Sequence, residues 1–451
     1  MAETTGFVQE LKWSVADAAV IALIGDDPSN CEAFTIILNP ADSDATLSAK
    51  RAMGRLLTHA MLRGWEVYVT YPDSDAELSS VLAPASAVDE PSVELDGIEV
   101  TQAIQDMSQS IPLVAGKATV VRVYLSNYSA AGVTVRGVLS VRSSPSATPV
   151  LVASASSAVL DPAQAGNWAA ARDDVLRSLN FPLPYLQTAE GPLTVSIDSI
   201  TDAVTGAALT VGHERRPTVR FIASPALVVR ILGMRYQQGS PPVEFIPSSL
   251  DFDLLESWLG RAYPVGQVVS SRVIIDATPT VPFTCRDINA QLQAIRALDM
   301  SAGGDPRTHY YGMVSDGGFF MRGCAAGIPA TADPSTVASG PTGPSAWGWD
   351  FDGSYGDWYG GHELGHTFGR LHPGFCGETK DDLKGYPFPN GELADSDGSF
   401  VGFDVGDPVL GLPMTALPGQ TWTDVMTYCA SEWLSPYTYR GILDRLIIEG
   451  A

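Results

Sequence analysis

Gly361-His362-Glu363-Leu364-Gly365-His366-Thr367-Phe368-Gly369-Arg370-Leu371-His372-Pro373 is the stretch from which the rest of this chain is read. It has the form H-E-x-x-H-x-x-G-x-x-H. On a helix, His362 and His366 stand four residues apart, so both imidazoles leave one face about a turn apart. That spacing lets two ring nitrogens sit ~2.0–2.1 Å from one tetrahedral zinc ion. Glu363 follows the first histidine and points beside the metal, the placement of a general base acting on water. Gly369 offers the helix a stop, because glycine takes positive φ at little cost. The chain can then turn back and deliver His372 as a third ligand. Three protein ligands leave a fourth position for a reactant, which marks a catalytic zinc and not a structural one. The chain has six histidines, and three fall here. The whole pattern arises by chance in a chain this long on the order of once in 10⁵. A helix with incidental histidines is the poorer account.

Further along lies Asp424-Val425-Met426-Thr427-Tyr428-Cys429. The histidine motif together with this methionine resembles the metzincins, zinc peptidases with a downstream Met-turn. The resemblance implies that Met426 forms a hydrophobic floor under the three imidazoles; plain core packing is the alternative for any methionine. Met-x-Tyr is similar to the astacin and serralysin branches, which implies that Tyr428 reaches the zinc or the oxyanion. Pro373 after the third histidine is again similar to serralysins. The resemblance covers the zinc helix, the Met-turn and the roughly 200–230 residues of a catalytic domain around them. The glycine- and aspartate-rich calcium repeats of serralysins are missing. The loop from Lys384 to Pro413 matches no named branch.

At 451 residues the chain calls for two or three domains. A hydrophobic content of 45% with 17% charged residues is that of a folded globular protein. No apolar run reaches the ~18 residues of a spanning helix. Met1-Ala2-Glu3-Thr4-Thr5 has no basic n-region, and Glu10 and Asp17 interrupt the apolar residues after it, so this start does not read as a signal peptide. The leader is then missing, export uses another route, or the protein stays inside; the expectation is an extracellular or exported protein. A net charge of −24 argues against nucleic acid and anionic membranes as partners. Such a surface could favour basic substrates or calcium, but solubility is explanation enough. The oligomeric state is left open.

Five cysteines are too few for a disulfide scaffold. Cys376 follows the third histidine and Cys429 follows Met426, so both should lie near the zinc floor, as a bridge or as free buried thiols. Cys285 and Cys324 flank one helix–strand segment and could form a second pair. Cys31 is left over. It could cover the zinc as prodomain cysteines do in matrixins, but Asn30-Cys31-Glu32 does not resemble that switch motif.

The expected architecture is a multidomain chain: a small N-terminal α/β module, an all-β immunoglobulin-like sandwich and an α+β metzincin-like catalytic domain. Residues 1–90 form the module, with strands over Gly6–Val15, Ala18–Ile24, Ala33–Leu38 and Trp65–Thr70 and a helix over Ala45–Arg63. Its role as inhibitory prodomain, binding module or cap is open. Ala83–Pro91 reads as a linker. Residues 91–223 alternate as an antiparallel sandwich, with strands over Val93–Ala103, Ala118–Asn127, Gly132–Arg142, Pro149–Ala155 and Gly191–Ser199.

Residues 224–451 carry the motif. Strands are expected over Pro225–Tyr236, Gln267–Asp276 and His309–Val314, with an edge strand within Gly317–Ala325 that could pair with an extended peptide. Helices are expected over Ser249–Tyr263, with Leu250 on or near its apolar face, and over Asp287–Met300, capped by Asp287. A last helix, Pro436–Glu449, should pack Tyr439, Ile442, Leu443, Leu446 and Ile447 under the site. His309 reads as structural. Asp350, Asp352 and Asp357 alternate around a glycine in a way that resembles a calcium loop, though Asp357 could simply cap the zinc helix. Asp395, Asp397 and Asp404 form a second such set.

These features point to a zinc-dependent endopeptidase acting on protein or peptide substrates. His362, His366 and His372 hold Zn²⁺, Glu363 is the general base, Tyr428 assists, and Ca²⁺ is a second possible ion. The rivals are an adhesion protein with a degenerate zinc domain and a zinc hydrolase of non-peptide substrates. The intact Glu363 speaks against the first.

Overall fold

A computed structural model describes residues 2–82, apart from 15–18, 28–29, 38, 40, 73–76 and parts of 44–65, and residues 93–450, apart from 130, 214, 318–320, 345–348, 378–379 and 383–384. The expected linker at 83–91 and much of the expected helix over Ala45–Arg63 fall outside the described residues, as does the Cys31 side chain.

The chain is a multidomain mixed α/β protein with several β-sheets. Near the N-terminus, strands Ala2–Ser14, Ala19–Asp27, Asn30–Ile37, Glu66–Tyr71 and Ser80–Leu82 form one antiparallel sheet in the order 3-2-1-4-5. Val20, Ala22, Ile24 and Val67 bury one face of it against Leu57 and Ala60. Residues 93–222 form two sheets around one apolar core. One is built on Val133–Arg142 and Gly191–Asp202, the other on Val93–Thr101 and Val120–Ser126. The short strands Ala158–Leu160 and Leu179–Pro182 were not expected, being too brief to show a period. A one-and-a-half-turn helix, α1 (Trp168–Arg172), lies among them.

The C-terminal sheet runs 268–276, 227–238, 309–315, 338–342. These four strands are parallel. Cys324–Ala325 closes the edge in the antiparallel sense. Parallel neighbours need crossovers, and two are helical: α2 (Ser249–Ala262) and α3 (Cys285–Ser301). Side chains alternate across the sheet. Tyr311 and Met313 face α2 and the motif helix, α4 (Gly356–Thr367), while Tyr310 and Val314 face the α3 side. Both crossover helices start in capping boxes, Ser248 with Asp251 and Thr284 with Asp287. Asp287 is therefore the third helical residue and not the cap: Thr284 supplies the hydroxyl that accepts its N–H, and its carboxylate reaches back. The closing helix, α5 (Pro436–Glu449), buries Tyr439, Ile442, Leu443 and Leu446. Ile447 remains 42% exposed and Leu250 40% exposed, because each lies off the stripe that meets the core.

Among the described residues no helix is long and apolar enough to cross a membrane, which has no bearing on membrane strands. Among the described residues two disulfides are present, Cys285–Cys324 and Cys376–Cys429.

Candidate metal centre

Helix α4 is buried almost all round and carries His362, Glu363 and His366. It ends where the glycine permits. Gly369 takes φ 73°, its N–H donates to the His366 carbonyl at 2.8 Å, and Arg370 N–H donates to the Gly365 carbonyl at 3.0 Å. The chain reverses there and sets His372 beside the other two rings.

Ring centroids lie 4.9 Å apart for His362 and His366, 5.3 Å for His362 and His372, and 4.6 Å for His366 and His372. Each Nδ1 has an acceptor. His362 donates to the Val425 carbonyl at 2.6 Å, His366 to the Arg370 carbonyl at 2.8 Å, and His372 to the Asp381 carboxylate at 3.2 Å. Carbonyls and carboxylates only accept, so the protons sit on Nδ1 and the Nε2 lone pairs turn inward. His362 Nε2 and His372 Nε2 are 3.3 Å apart. Two nitrogens bound to one tetrahedral zinc stand ~3.3–3.4 Å apart. With no proton between them, two lone pairs at that distance repel unless a cation joins them. The three rings fit a metal ion, and among the described residues no further histidine, cysteine or carboxylate joins the group.

Burial holds all three imidazoles below their ordinary range, so they stay neutral, the form that binds metal. For His362, the neighbouring His366 and His372 add to the effect. His366 is pushed down to about 4, by burial and then by His372. Asp381 opposes the shift at His372.

Glu363 is 4% exposed. Burial pushes its carboxyl up to about 8, opposed by the Ala325 N–H. Its Oε2 has no hydrogen-bond partner among the described residues. A dication beside it would favour the carboxylate. It faces a cavity of about 690 Å³ lined also by Arg322, Gly323, Trp349, Trp358, Tyr359, His362, Tyr428 and Glu432. Tyr428 is exposed, with its ring 5.9 Å from that of His362 and 5.2 Å from that of His372.

The turn at 424–429 supports the group from below. Asp424 is buried and accepts the Met426 N–H at 2.8 Å and the Ser435 N–H at 3.0 Å. This holds the Val425 carbonyl against His362. Met426 is 1% exposed and packs under Gly365, where an added Cβ would meet its sulfur at 2.6 Å. The Cys376–Cys429 bridge ties this turn to the segment after His372. His309 is buried and structural, bonded to Thr367 and Glu449.

Asp350, Asp352 and Asp357 come together. Asp357 does not occupy the cap position of α4, which is Tyr355; it lies in the first turn. Asp395, Asp397 and Asp404 do not form a second group. Asp395 and Asp397 close an exposed turn with Ser399, and Asp404 binds Arg261. Sequence reading placed Arg322 in the edge segment above the cleft but missed Asp381 and the cleft residues Trp349, Trp358 and Glu432. Asp381 sits in an aperiodic polar loop and carries no local signal.

No protein-family model and no curated protein matches the chain. Among solved structures, Bacteroides uniformis beta-glucuronidase 2 bound to cyclophellitol-6-carboxylate aziridine aligns at 12% identity and a TM-score of 0.20 over 50% of this chain. The alignment covers 29% of that structure, so the chain spans under a third of its length. A polysaccharide deacetylase from Bacillus cereus aligns at 9% identity and a TM-score of 0.16, over 48% of this chain and 60% of its own. Likeness at this level carries no argument about fold or activity.

Proposed function

We propose that this chain is a zinc-dependent endopeptidase of the metzincin kind. One observation carries the proposal: three imidazoles with committed Nδ1 protons turn their Nε2 atoms together, beside a buried carboxylate with an unpartnered oxygen. A zinc ion held by His362, His366 and His372 would polarise the scissile carbonyl and acidify water. Glu363 takes the proton of the attacking water and passes it to the leaving amine. Tyr428, at the mouth of the site, donates a hydrogen bond to the developing oxyanion. The antiparallel edge at Cys324–Ala325 borders the same cleft, since Gly323 lines it, and supports binding of an extended peptide by strand addition. Met426 beneath Gly365 is in keeping with a Met-turn. The β-unit at 93–222 is assigned to an immunoglobulin-like module that positions the catalytic unit. Two disulfides fit an oxidising compartment, and so an exported protein.

The test is Glu363→Gln, with metal content and cleavage of casein and a peptide library measured together. The variant should keep about one zinc per chain and lose at least ~10²-fold in kcat/KM. Undiminished cleavage refutes the assignment. A zinc-loaded wild type that cuts no peptide would favour a non-peptide hydrolase, and a wild type without zinc an adhesion protein.

A further inference from the structure

Beside the cleft lies a smaller cavity of about 240 Å³, and Trp349 and Glu432 line both. Asp350, Asp352, Asp357 and Asp404 form part of its wall, with a single guanidinium, Arg261. One carboxylate oxygen each from Asp350, Asp352 and Asp357 lies within 4.8 Å of the others. Oxygens on opposite sides of a calcium ion, at ~2.3–2.6 Å each, stand ~4.6–5.2 Å apart, and adjacent ones stand closer. The three oxygens therefore fit around one ion of that size.

A separate observation points the same way. Asp357 is 1% exposed, and its Oδ1 has no hydrogen-bond partner among the described residues. Arg261 gives it no hydrogen bond, because its guanidinium is bound by Asp404 and Ser257, and its charge offsets the burial only in part. Without a cation the three carboxylates cannot all stay charged. Burial, and then Asp350 and Asp352, push Asp357 well up, and burial followed by Asp352 pushes Asp350 up to about 6.

We propose that Asp350, Asp352 and Asp357 form a calcium site that ties the loop at 349–355 to the first turn of α4. An all-oxygen donor set selects a hard cation over zinc. Trp349 packs against Trp358 with ring centroids 4.1 Å apart and a tilt of 32°, and both line the proposed catalytic cleft. The ion thereby sets one wall of that cleft. The binding claim stands apart from the peptidase proposal, and only its effect on the cleft rests on it.

The experiment uses the full chain, passed over a chelating resin and checked for retained zinc. It is titrated with CaCl2 by calorimetry and with TbCl3 by luminescence sensitised from Trp349 and Trp358. The expected result is one calcium per chain, terbium emission displaced by CaCl2, and affinity at least ~10-fold weaker in Asp350→Asn and in Asp352→Asn, with zinc content unchanged. These two residues are less buried than Asp357, so their variants should fold even where Asp357→Asn does not. Absence of saturable binding to the folded wild type overturns the proposal. So does binding that survives both substitutions.

Discussion

Glu363 carries a penalty that can be measured without any substrate. Its carboxyl has an ordinary value of 4.5 and stands at about 8 in the folded, metal-free protein. A raised value means that its contribution to stability is full below the ordinary value and is lost as pH rises through the folded one. Metal-free wild type should therefore lose stability relative to Glu363→Gln between about pH 5 and pH 8, and the two should converge in acid. Melting curves across that range check this; parallel pH profiles would remove the burial penalty on the Glu363 carboxylate. Asp381 acts at the same scale. It orients His372 from a partly exposed loop, so Asp381→Ala should weaken metal binding by ~10–100-fold, read by competition with a chromophoric chelator. Unchanged affinity would make the contact incidental. His362, Glu363 and His366 were legible because helical spacing puts them on one helix, and His372 because the glycine stop at Gly369 lets the chain turn back. Asp381 was not, because only the folded loop after His372 brings it to the ring.

At the scale of elements, α4 and the turn at 424–429 act as a pair. Sequence reading reached α4 and the glycine stop at Gly369 from local backbone preference, and the turn from its resemblance to a Met-turn. It also placed Cys376 and Cys429 near each other, by their nearness to the motif and to Met426. It did not see that the Val425 carbonyl fixes the His362 tautomer, because a main-chain acceptor leaves no mark in a side-chain pattern. The bridge closes a loop with a sequence separation of 53 residues. Replacing both cysteines by serine should cost about 4 kcal/mol of unfolding free energy by loop entropy, and should speed metal loss by freeing His372 from the turn. Urea unfolding and zinc-release kinetics measure the two effects. A variant with wild-type values in both would show that the clamp is dispensable.

For the whole molecule, the unit that carries the three histidines is not closed on itself. Ala103, Ile104 and Ile111 belong to its main apolar core. The Ala103 carbonyl accepts the Trp433 indole N–H at 2.8 Å and the Phe403 N–H at 2.7 Å. Ile104–Asp106 pairs as a strand with Phe400–Gly402. Buried Lys117 donates to the Gly260 and Arg261 carbonyls at the end of α2. A fragment of residues 224–451 should therefore aggregate or melt well below the full chain, and calorimetry of residues 91–451 should show one cooperative transition. A fragment that folds alone with the stability of the whole would contradict this.

By itself, the sequence determined which three histidines form the group that could hold a metal ion, the helix that carries two of them and the glycine that ends it. It also determined most strands and helices of the C-terminal unit. These arise from side-chain period and backbone preference, which act over a few residues. Tertiary structure decided which acceptor holds each imidazole, which of the two aspartate sets converges, and that Ala103 is built into a core more than a hundred residues further along. Those outcomes depend on long-range packing, where a one-residue change of register would place different groups together.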